Sequence, residues 1–308
     1  MNKTRIGWGI LGAASIADHA VMPAIVASRN GELVSIASRD PERAGNLAKK
    51  HGVARVAADY EAVLGDRDVD AVYIPLTNDV HLKWTLRALA AGKHVLCEKP
   101  LAMNAAEAEK MAAAARASGL CLMEAFMYRF HPRTREFVER LLADGPPSRV
   151  EAKFGFTMNH PGDFRFVPEL GGGALFDVGC YTVNIVRWLL GEPDTVTGDA
   201  HVDPQTKVDM TASGLLQFPG GASASVWCSF ESPEEQVLRV VTARGELTLP
   251  TPFGARFNAD DPYLLMVESF GDSVTGGGKV AIPPEDSVAN MRVLDRIREA
   301  ARLAEFHS

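Results

Sequence analysis

Three consecutive glycines, Gly171–Gly173, precede the most informative polar residues of this 308-residue chain. Asp177, Tyr181 and Asn184 follow at spacings of four and three residues, which place side chains on one face of a helix. The residues around them are mostly apolar, so the three form a polar stripe, and burying an unpaired carboxylate in such surroundings is costly. The stripe either lines a cleft, which the glycines would allow a ligand to approach, or forms a structural network inside a domain.

A charged pair, Glu98 and Lys99, stands between the apolar run His94–Cys97 and Pro100. If that run is a strand of a parallel sheet, the pair lies at its carboxyl end, where the ligand sites of such sheets are found. A lysine there can orient a substrate hydroxyl and, as a cation, lower the pKa of a neighbouring acid. A solvated turn before a proline explains the pair equally well.

The chain opens with a glycine pattern of the form G-x-G-x-x-G, Gly7 to Gly12. Between a first strand, Arg5–Gly9, and a helix over Ser15–Ser28, this pattern is typical of a dinucleotide-binding turn, because glycines permit a tight turn and a close approach to the pyrophosphate. The N–H groups at the start of the helix would then face the phosphates. A purely structural glycine turn is the alternative. The residues expected at the cofactor are Gly7, Gly9, Leu11, Gly12 and Ala13.

The end of the second predicted strand, Glu32–Ser38, indicates which dinucleotide binds. NAD sites usually have an acidic residue there that hydrogen-bonds the ribose, whereas this chain has Ser38 followed by Arg39. Serine cannot repel a 2′-phosphate, and arginine can bind one with two hydrogen bonds, with Arg43 one helical turn further on. The pattern favours NADP over NAD, which stays possible. Alternatively, Arg39 is only a solvated loop charge.

A second polar edge follows the third predicted strand, Ala71–Pro75. Its polar groups, together with the Glu98–Lys99 pair, are expected to contact the nicotinamide ribose, although helix capping explains Thr77 and Asn78 equally well. The cofactor contacts expected at these two edges are Pro75, Leu76, Thr77, Asn78, His81, Glu98 and Lys99.

The elements that must position these residues alternate strand and helix over residues 1–122. Such alternation predicts βαβ units and a doubly wound parallel sheet of the Rossmann type, an α/β dinucleotide-binding domain. Two further strands are predicted in this domain, His94–Cys97 and Gly119–Glu124. The helices predicted after the first are Pro41–His51, Val80–Ala91 and Asn104–Ser118.

The pattern changes over residues 123–308, where period-2 segments separated by turn residues predict hairpins and an open, mostly antiparallel sheet. Together with its helices this makes a second, α+β domain for substrate binding and oligomerisation. Its predicted strands are Arg149–Met158, Thr195–Asp203, Met210–Phe218, Ala222–Phe230 and Gln236–Thr242. Its predicted helices are Arg133–Ala143, Ala174–Leu190 and Glu285–Phe306.

Composition excludes several classes of protein. With 39 acidic and 32 basic side chains the net charge is −7, which argues against a nucleic-acid partner. No apolar run is long enough to span a bilayer, and the first residues lack the apolar core of a signal peptide. Four cysteines without a C-x-x-C pair predict neither a disulfide framework nor a metal site. We expect a cytoplasmic protein.

Several motifs resemble the glucose–fructose oxidoreductase, inositol dehydrogenase and rhizopine catabolism family, Gfo/Idh/MocA, over essentially the whole chain. The resemblance implies a nicotinamide-dependent oxidoreductase that acts on sugars, cyclic polyols or related carbonyls, with Lys99 as its catalytic lysine. The segments that carry it are Gly7 to Gly12, Ala91 to Pro100, Glu124 to Pro132, and Glu169 to Tyr181.

Tyr181 stands where inositol dehydrogenases have histidine. In this it is similar to glucose–fructose oxidoreductase, dimeric dihydrodiol dehydrogenase and D-xylose dehydrogenases, which implies that Tyr181 transfers the proton, assisted by Lys99. Asp177 would orient Lys99 or a sugar hydroxyl. The residues expected at the substrate are Asp163, Arg165 and Asn184.

Two other functions are considered beside the oxidoreductase. One is a hydrolase of the same family that uses a retained NAD transiently, and the other is a non-catalytic dinucleotide sensor. The sensor would leave Lys99 and the stripe unexplained. The expected partners are a small sugar or polyol and further copies of the chain, as a homodimer or a dimer of dimers with open sheets face to face.

Overall fold

The computed structural model describes residues 5–160, 162–254 and 261–305. The chain divides into two compact units, and each is described by itself. The first unit holds residues 5–102, 106–131 and 261–287, and the second holds 103–105, 132–254 and 288–305.

The first unit is built on a six-stranded sheet in the order β3-β2-β1-β4-β5-β6, with every pair parallel. Its central strands are almost entirely buried, as expected where helices cover both faces of a parallel sheet. The predicted doubly wound α/β sheet is therefore confirmed. The strands are β1 (Ile6–Leu11), β2 (Gly31–Ala37), β3 (Arg55–Val56), β4 (Ala71–Ile74), β5 (His94–Cys97) and β6 (Leu122–Glu124).

Aspartate side chains begin three of the helices of this unit, and the third is Asp261 at the start of the helix Pro262–Gly276. Asp40 accepts the N–H of Arg43 at 3.0 Å, and Asp59 accepts the N–H of Ala62 at 2.8 Å. These are N-caps, which satisfy donors that a helix leaves unpaired at its start. The short elements β3 and α3 are absent from the sequence prediction. The helices are α1 (Met22–Ala27), α2 (Pro41–His51), α3 (Tyr60–Leu64), α4 (His81–Ala90) and α5 (Ala105–Ser118), with α8 (Pro262–Gly276) returning later in the chain.

Gly7 and Gly9 lie within β1, which corrects the prediction that they form a turn. A Cβ at Gly7 would stand 2.1 Å from the carbonyl oxygen of Asp68, and one at Gly9 would stand 2.6 Å from Val63 on α3. Both glycines are needed because neighbouring chain approaches the strand closely. Close packing explains them without a cofactor.

Helix α8 packs against the opposite side of the strand. Trp8 is fully buried, and its ring lies 5.4 Å from that of Phe270. Asn30, just before β2, donates to a carboxylate oxygen of Asp272 at 2.9 Å. The predicted division at residue 122 differs from the structure here, because side chains of α8 such as Phe270 are buried in the first unit although the helix follows the strands of the second in sequence.

The second unit contains a mixed sheet in the order β12-β11-β7-β10-β9-β8, in which only β7 and β10 pair in parallel among the described strands. This confirms the predicted, mostly antiparallel sheet. The strands are β7 (Arg149–Thr157), β8 (Thr195–Val202), β9 (Asp209–Gln217), β10 (Ser223–Ser229), β11 (Glu231–Thr242) and β12 (Gly245–Pro250).

Helix α7 packs on β7 and β10 and covers one face of this sheet. Burial alternates along β10. On the sheet face away from α7, the exposed side chains include Leu215 of β9, which is 60% accessible. The predicted helix Glu285–Phe306 is observed as α9, and Phe306 lies outside the described residues. None of the helices that the model describes is both long and apolar enough to cross a membrane. The remaining helices are α6 (Pro132–Asp144), α7 (Cys180–Leu190) and α9 (Pro284–Glu305).

Replacing Phe270 with alanine should lower the free energy of unfolding by about 3–5 kcal/mol, because the change empties a fully packed position against Trp8. Urea unfolding followed by tryptophan fluorescence measures it. Val26→Ala on α1, at a side chain that is 54% accessible, should cost less than about 0.5 kcal/mol. Equal effects of the two substitutions would mean that α8 is not part of the first unit's core.

Candidate functional site

Gly12 is the first residue after β1 and forms a tight turn with φ of +122°. Its N–H donates to the carbonyl of Ala37 at the end of β2, at 2.8 Å. A Cβ at this position would stand 2.9 Å from Leu76 and 3.6 Å from the carbonyl of Pro75. The structure thus brings together three of the predicted regions, namely the glycine turn, the end of β2 and the polar edge after β4.

The helical segment after this turn begins at Ser15, which is exposed. Counted from Gly12, the residues Ala14 and Ala17 occupy the second and third glycine positions of a G-x-G-x-x-G pattern. The sequence prediction therefore placed the pattern five residues too early. The unbroken apolar character of Ile10 and Leu11 is the signal that could have shown the strand continuing to Leu11.

Hydrogen bonds to three side chains hold the loop after β2 and the start of α2 in place. Ser38 accepts the N–H of Asp40 at 3.1 Å, Asp40 caps α2, and the hydroxyl of Tyr60 accepts a backbone N–H of Arg39. Arg39 and Arg43 are exposed, and neither guanidinium forms an ion pair with a residue that the structure describes. Two unneutralised cations beside a phosphate-type turn suit an anionic ligand.

Glu98 is buried at the end of β5 and accepts the hydroxyl hydrogen of Tyr73 at 2.6 Å. Burial and the Glu98 carboxylate raise the pKa of Tyr73 well above its ordinary value, so that the phenol stays a donor. Lys99 follows and is half-buried. Because Glu98 serves as an internal anchor, the structure makes it a support for the Lys99 loop rather than a surface contact.

His81 is completely buried, which corrects its assignment as a cofactor contact. Its Nδ1 lies 3.0 Å from the carbonyl of Pro100 and its Nε2 lies 3.0 Å from the carbonyl of Leu76. Burial lowers the pKa of the ring, and its two carbonyl contacts connect the loops after β4 and β5. It has no exposed surface with which to touch a ligand.

Thr77 and Asn78 begin a short 3₁₀ helix, Asn78–Val80, after β4. The side chain of Thr77 makes no capping hydrogen bond, so helix capping does not account for it. Asn78 is 4% accessible. Of the two, Thr77, which is half-buried, is the better placed to meet a ligand.

In the second unit, Arg165 joins two carboxylates. Its Nε donates to Asp177 at 2.8 Å, and its Nη1 lies 3.2 Å from Asp163, whose Oδ1 also accepts the backbone N–H of Arg165 at 2.9 Å. Burial alone would lower the pKa of Arg165, but the charges and hydrogen bonds of Asp177 and Asp163 outweigh it and raise the pKa. The three predicted residues are brought together, with one net negative charge.

The predicted helix Ala174–Leu190 is observed in two parts, a π-helical turn over Leu175–Gly179 followed by α7. Such turns are frequent at functional sites. Asp177 has an 11% accessible side chain, Tyr181 is 8% accessible and Asn184 only 1%. The stripe becomes more buried along the helix, and Asn184 has almost no accessible surface.

Aromatic side chains surround Tyr181. Its ring lies 5.6 Å from that of Phe154 on β7 and 5.5 Å from that of Phe253, and these two phenylalanines stack at 5.2 Å. Such packing restricts the phenol to few orientations. The two phenylalanines are absent from the sequence prediction because contacts between a helix and distant strands leave no signal in residue spacing.

Other reactive groups do not form a centre. Burial raises the pKa of Cys97 well above its ordinary value, which keeps it a thiol. No group of three or more His, Cys, Asp or Glu side chains among the described residues could hold a metal ion. One unit then offers a glycine turn with two arginines that have no ion-pair partner among the described residues, and the other offers a phenol beside a fixed carboxylate.

Two models of one protein family match this chain. Residues 6–126 match the model of the oxidoreductase family with an NAD-binding Rossmann fold, GFO_IDH_MocA, and residues 143–248 match the GFO/IDH/MocA C-terminal domain.

Several relatives are similar to this protein over most of the chain. A D-xylose 1-dehydrogenase (NADP(+)) of Haloferax volcanii is 38% identical over 96% of this chain and 97% of its own length. A trans-1,2-dihydrobenzene-1,2-diol dehydrogenase of Xenopus tropicalis is 34% identical over 80% and 74%. The crystal structure of a 3-ketoreductase from Actinomadura kijaniata with NADP and TDP-benzene is similar with a TM-score of 0.91 and 30% identity, over 96% of this chain and 98% of that one. The chain therefore belongs to the Gfo/Idh/MocA family of oxidoreductases.

Proposed function

We propose that this protein transfers hydride between NADP(H) and a carbinol or carbonyl carbon of a sugar or polyol. The observation that carries the proposal is the helix start at Asp177, where a carboxylate fixed by Arg165 precedes a buried phenol that packs against two aromatic rings. A group that can donate and accept a proton, beside an oriented hydrogen-bond acceptor, suits a substrate rich in hydroxyl groups.

The residues present fit a dinucleotide phosphate. Gly12 leaves no room for a side chain, and the helix beginning at Ser15 offers unpaired N–H groups to a pyrophosphate. Arg39 would hold a 2′-phosphate, with Ser38 adding no charge that repels it and Arg43 adding a second cation. When bound, the cofactor supplies or accepts the hydride, and the protein supplies position and a proton path.

Tyr181 would hold and move the proton at its hydroxyl oxygen. Asp177 is a weaker candidate for that task, because its ion pair with Arg165 favours the ionised carboxylate. We assign Asp177 to accepting a hydrogen bond from a substrate hydroxyl, with Arg165 and Asp163 setting its direction. Lys99, from the first unit, would donate to the reacting oxygen and favour the ionised phenol.

The substrate class rests on the relatives, which are named for a pentose, a dihydrodiol and nucleotide-linked ketosugars. These molecules share a ring with adjacent oxygen atoms. Aldoses, cyclic polyols and ketosugars, each tested with NADP⁺ and NADPH by absorbance at 340 nm, form the panel that would identify the substrate. A lasting absorbance change distinguishes net oxidoreduction from transient hydride transfer in a hydrolase.

Arg39→Ala should weaken NADPH binding at least ten-fold and leave NADH binding unchanged, because only NADPH has the 2′-phosphate. Ten-fold corresponds to about 1.4 kcal/mol, within reach of one charge-assisted contact. Quenching of tryptophan fluorescence gives both dissociation constants. Arg67→Ala, which removes another exposed arginine of the same unit, should change neither. Unchanged NADPH affinity in Arg39→Ala would rule out this assignment.

Tyr181→Phe should reduce turnover by roughly 10² to 10⁴ while NADPH still binds, because the ring stays and the transferable proton is lost. Lys99→Ala should be comparably damaging. If the two residues act on one proton, the double variant should be little worse than either single one, as steady-state turnover will show.

The matched control is Thr182→Val, at the next residue of the same helix, whose hydroxyl donates only to the carbonyl of Gly179 at 2.9 Å. It should keep near-normal turnover. Near-normal turnover of Tyr181→Phe with its best substrate would instead show that the proton travels by another route.

A further inference from the structure

Asp209, the first residue of β9, lies against the start of the helix that carries Asp177 and Tyr181. Its Oδ2 accepts the N–H of Leu175 at 2.6 Å, and the N–H of Ala174 also donates to this carboxyl group. A helix leaves its first N–H groups unpaired, so a side chain from a neighbouring strand supplies the cap here. No residue immediately before the helix provides one.

The turn before the helix is shaped to admit this carboxylate. Gly173 has φ of +109°, and a Cβ there would stand 2.1 Å from Oδ1 of Asp209. The N–H of Gly173 donates to the carbonyl of Arg165 at 2.9 Å. The helix start is therefore held between Asp209 on one side and Arg165, which also binds Asp177, on the other.

We propose that Asp209 is a positioning residue of the reaction, which fixes the helix start and thereby the placement of Asp177 and Tyr181. This rests on the proposed function, because the roles of those two residues do. Asp209 itself is not expected to touch the substrate, since its carboxylate is turned to the backbone N–H groups of Ala174 and Leu175. The ionised form accepts both hydrogen bonds best.

The surroundings of Asp209 favour the neutral form. Burial raises its pKa to about 6, although the N–H bonds and the charge of Arg298 on α9 act in the opposite direction. Cys228 on β10 also faces it, while Lys207 and Arg302 line the same cavity of about 290 Å³. The guanidinium of Arg298 is itself placed over the ring of Phe176, 4.7 Å from its centroid.

A raised carboxyl pKa makes the stability of the fold depend on pH in a defined direction. The folded chain binds this proton more tightly than the unfolded chain, so the contribution of Asp209 to stability is greatest below its ordinary pKa of 3.8 and falls as pH rises to about 6 and above. At neutral pH the protein carries a charge that lowers its stability. Such a cost is expected where the charge serves the site.

The main test is Asp209→Asn in the full-length protein. We expect turnover to fall between about 10- and 100-fold at pH 8, since a displacement near 1 Å has that effect, with the NADPH dissociation constant unchanged. Turnover of the wild type should fall as pH drops through about 6, because Asp209 is protonated there, and Asp209→Asn should lack this pH dependence. Hydrogen exchange should become faster in peptides spanning residues 173–181.

Melting temperatures at pH 5 and pH 8 give a readout that does not depend on activity. The stability advantage of the wild type over Asp209→Asn should shrink from pH 5 to pH 8. Asp203→Asn is the matched control, because Asp203 also accepts two backbone N–H groups, from Gln205 and Thr206, in the β8–β9 turn. Its pKa is lowered, so its effect should be constant over this range, with turnover and exchange of residues 173–181 unchanged.

Gly173→Ala is a second variant that acts on the same contact, since its Cβ must displace the carboxylate. It should reproduce the turnover and exchange effects of Asp209→Asn. Wild-type turnover and wild-type exchange in Asp209→Asn would overturn the proposal, as would a loss of turnover that is matched by a loss of NADPH binding. Faster exchange in the variant, combined with a wild type that oxidises or reduces nothing in the panel, would support the cap and contradict the proposed function.

Discussion

The ion pair between Arg165 and Asp177 is the contact on which the site of the second unit depends. Half-buried charges are tolerated when each has a partner, and removing one partner leaves the other uncompensated. Here the arginine also takes a hydrogen bond from Gly173 at its own carbonyl, so one residue sets both the direction of the carboxylate and the path of the chain before it. Phe154 and Phe253 then pack against a tyrosine whose helix is fixed in position.

The first unit depends on a different constraint, which is the absence of side-chain volume along one strand. Gly7 and Gly9 allow Asp68 and α3 to pack against β1, while Gly12 allows the loop after β4 to reach the turn. Of these positions, Gly12 is the one at the edge where β1, β2 and β4 end. Convergence at that edge is the general property of doubly wound sheets that makes them bind dinucleotides.

Periodicity and turn residues predicted most of this architecture. The strand His94–Cys97 and the helix Pro41–His51 agree with the structure at both ends, because an apolar run and an Asp–Pro start are strong local signals. The two-residue strand β3 and the helix α8 were missed. The first is too short to show a period, and the second has apolar residues around much of its surface, so that no single face stands out.

Sequence spacing anticipated which residues lie together when they are close in the chain, and missed contacts between distant ones. Asp163, Arg165 and Asp177 lie within fifteen residues of one another, and the structure brings these three predicted residues into contact. The glycine pattern was placed too early because Gly12 can be its last member or, with Ala14 and Ala17, its first, and only the length of β1 decides between the two. His81 was misassigned because a polar residue near a ligand edge looks the same in sequence whether it faces solvent or two backbone carbonyls.

The return of α8 to the first unit has a consequence for biosynthesis. Trp8 finds its partner Phe270 only after the strands of the second sheet have left the ribosome, since β12 ends at Pro250. A nascent Rossmann sheet therefore keeps an apolar face uncovered while the strands of the second sheet are made. Contacts so distant along the chain form slowly, and exposed apolar surface is what chaperones bind. Translation thus supplies the helix that completes the core of the first sheet only after all strands of the second sheet.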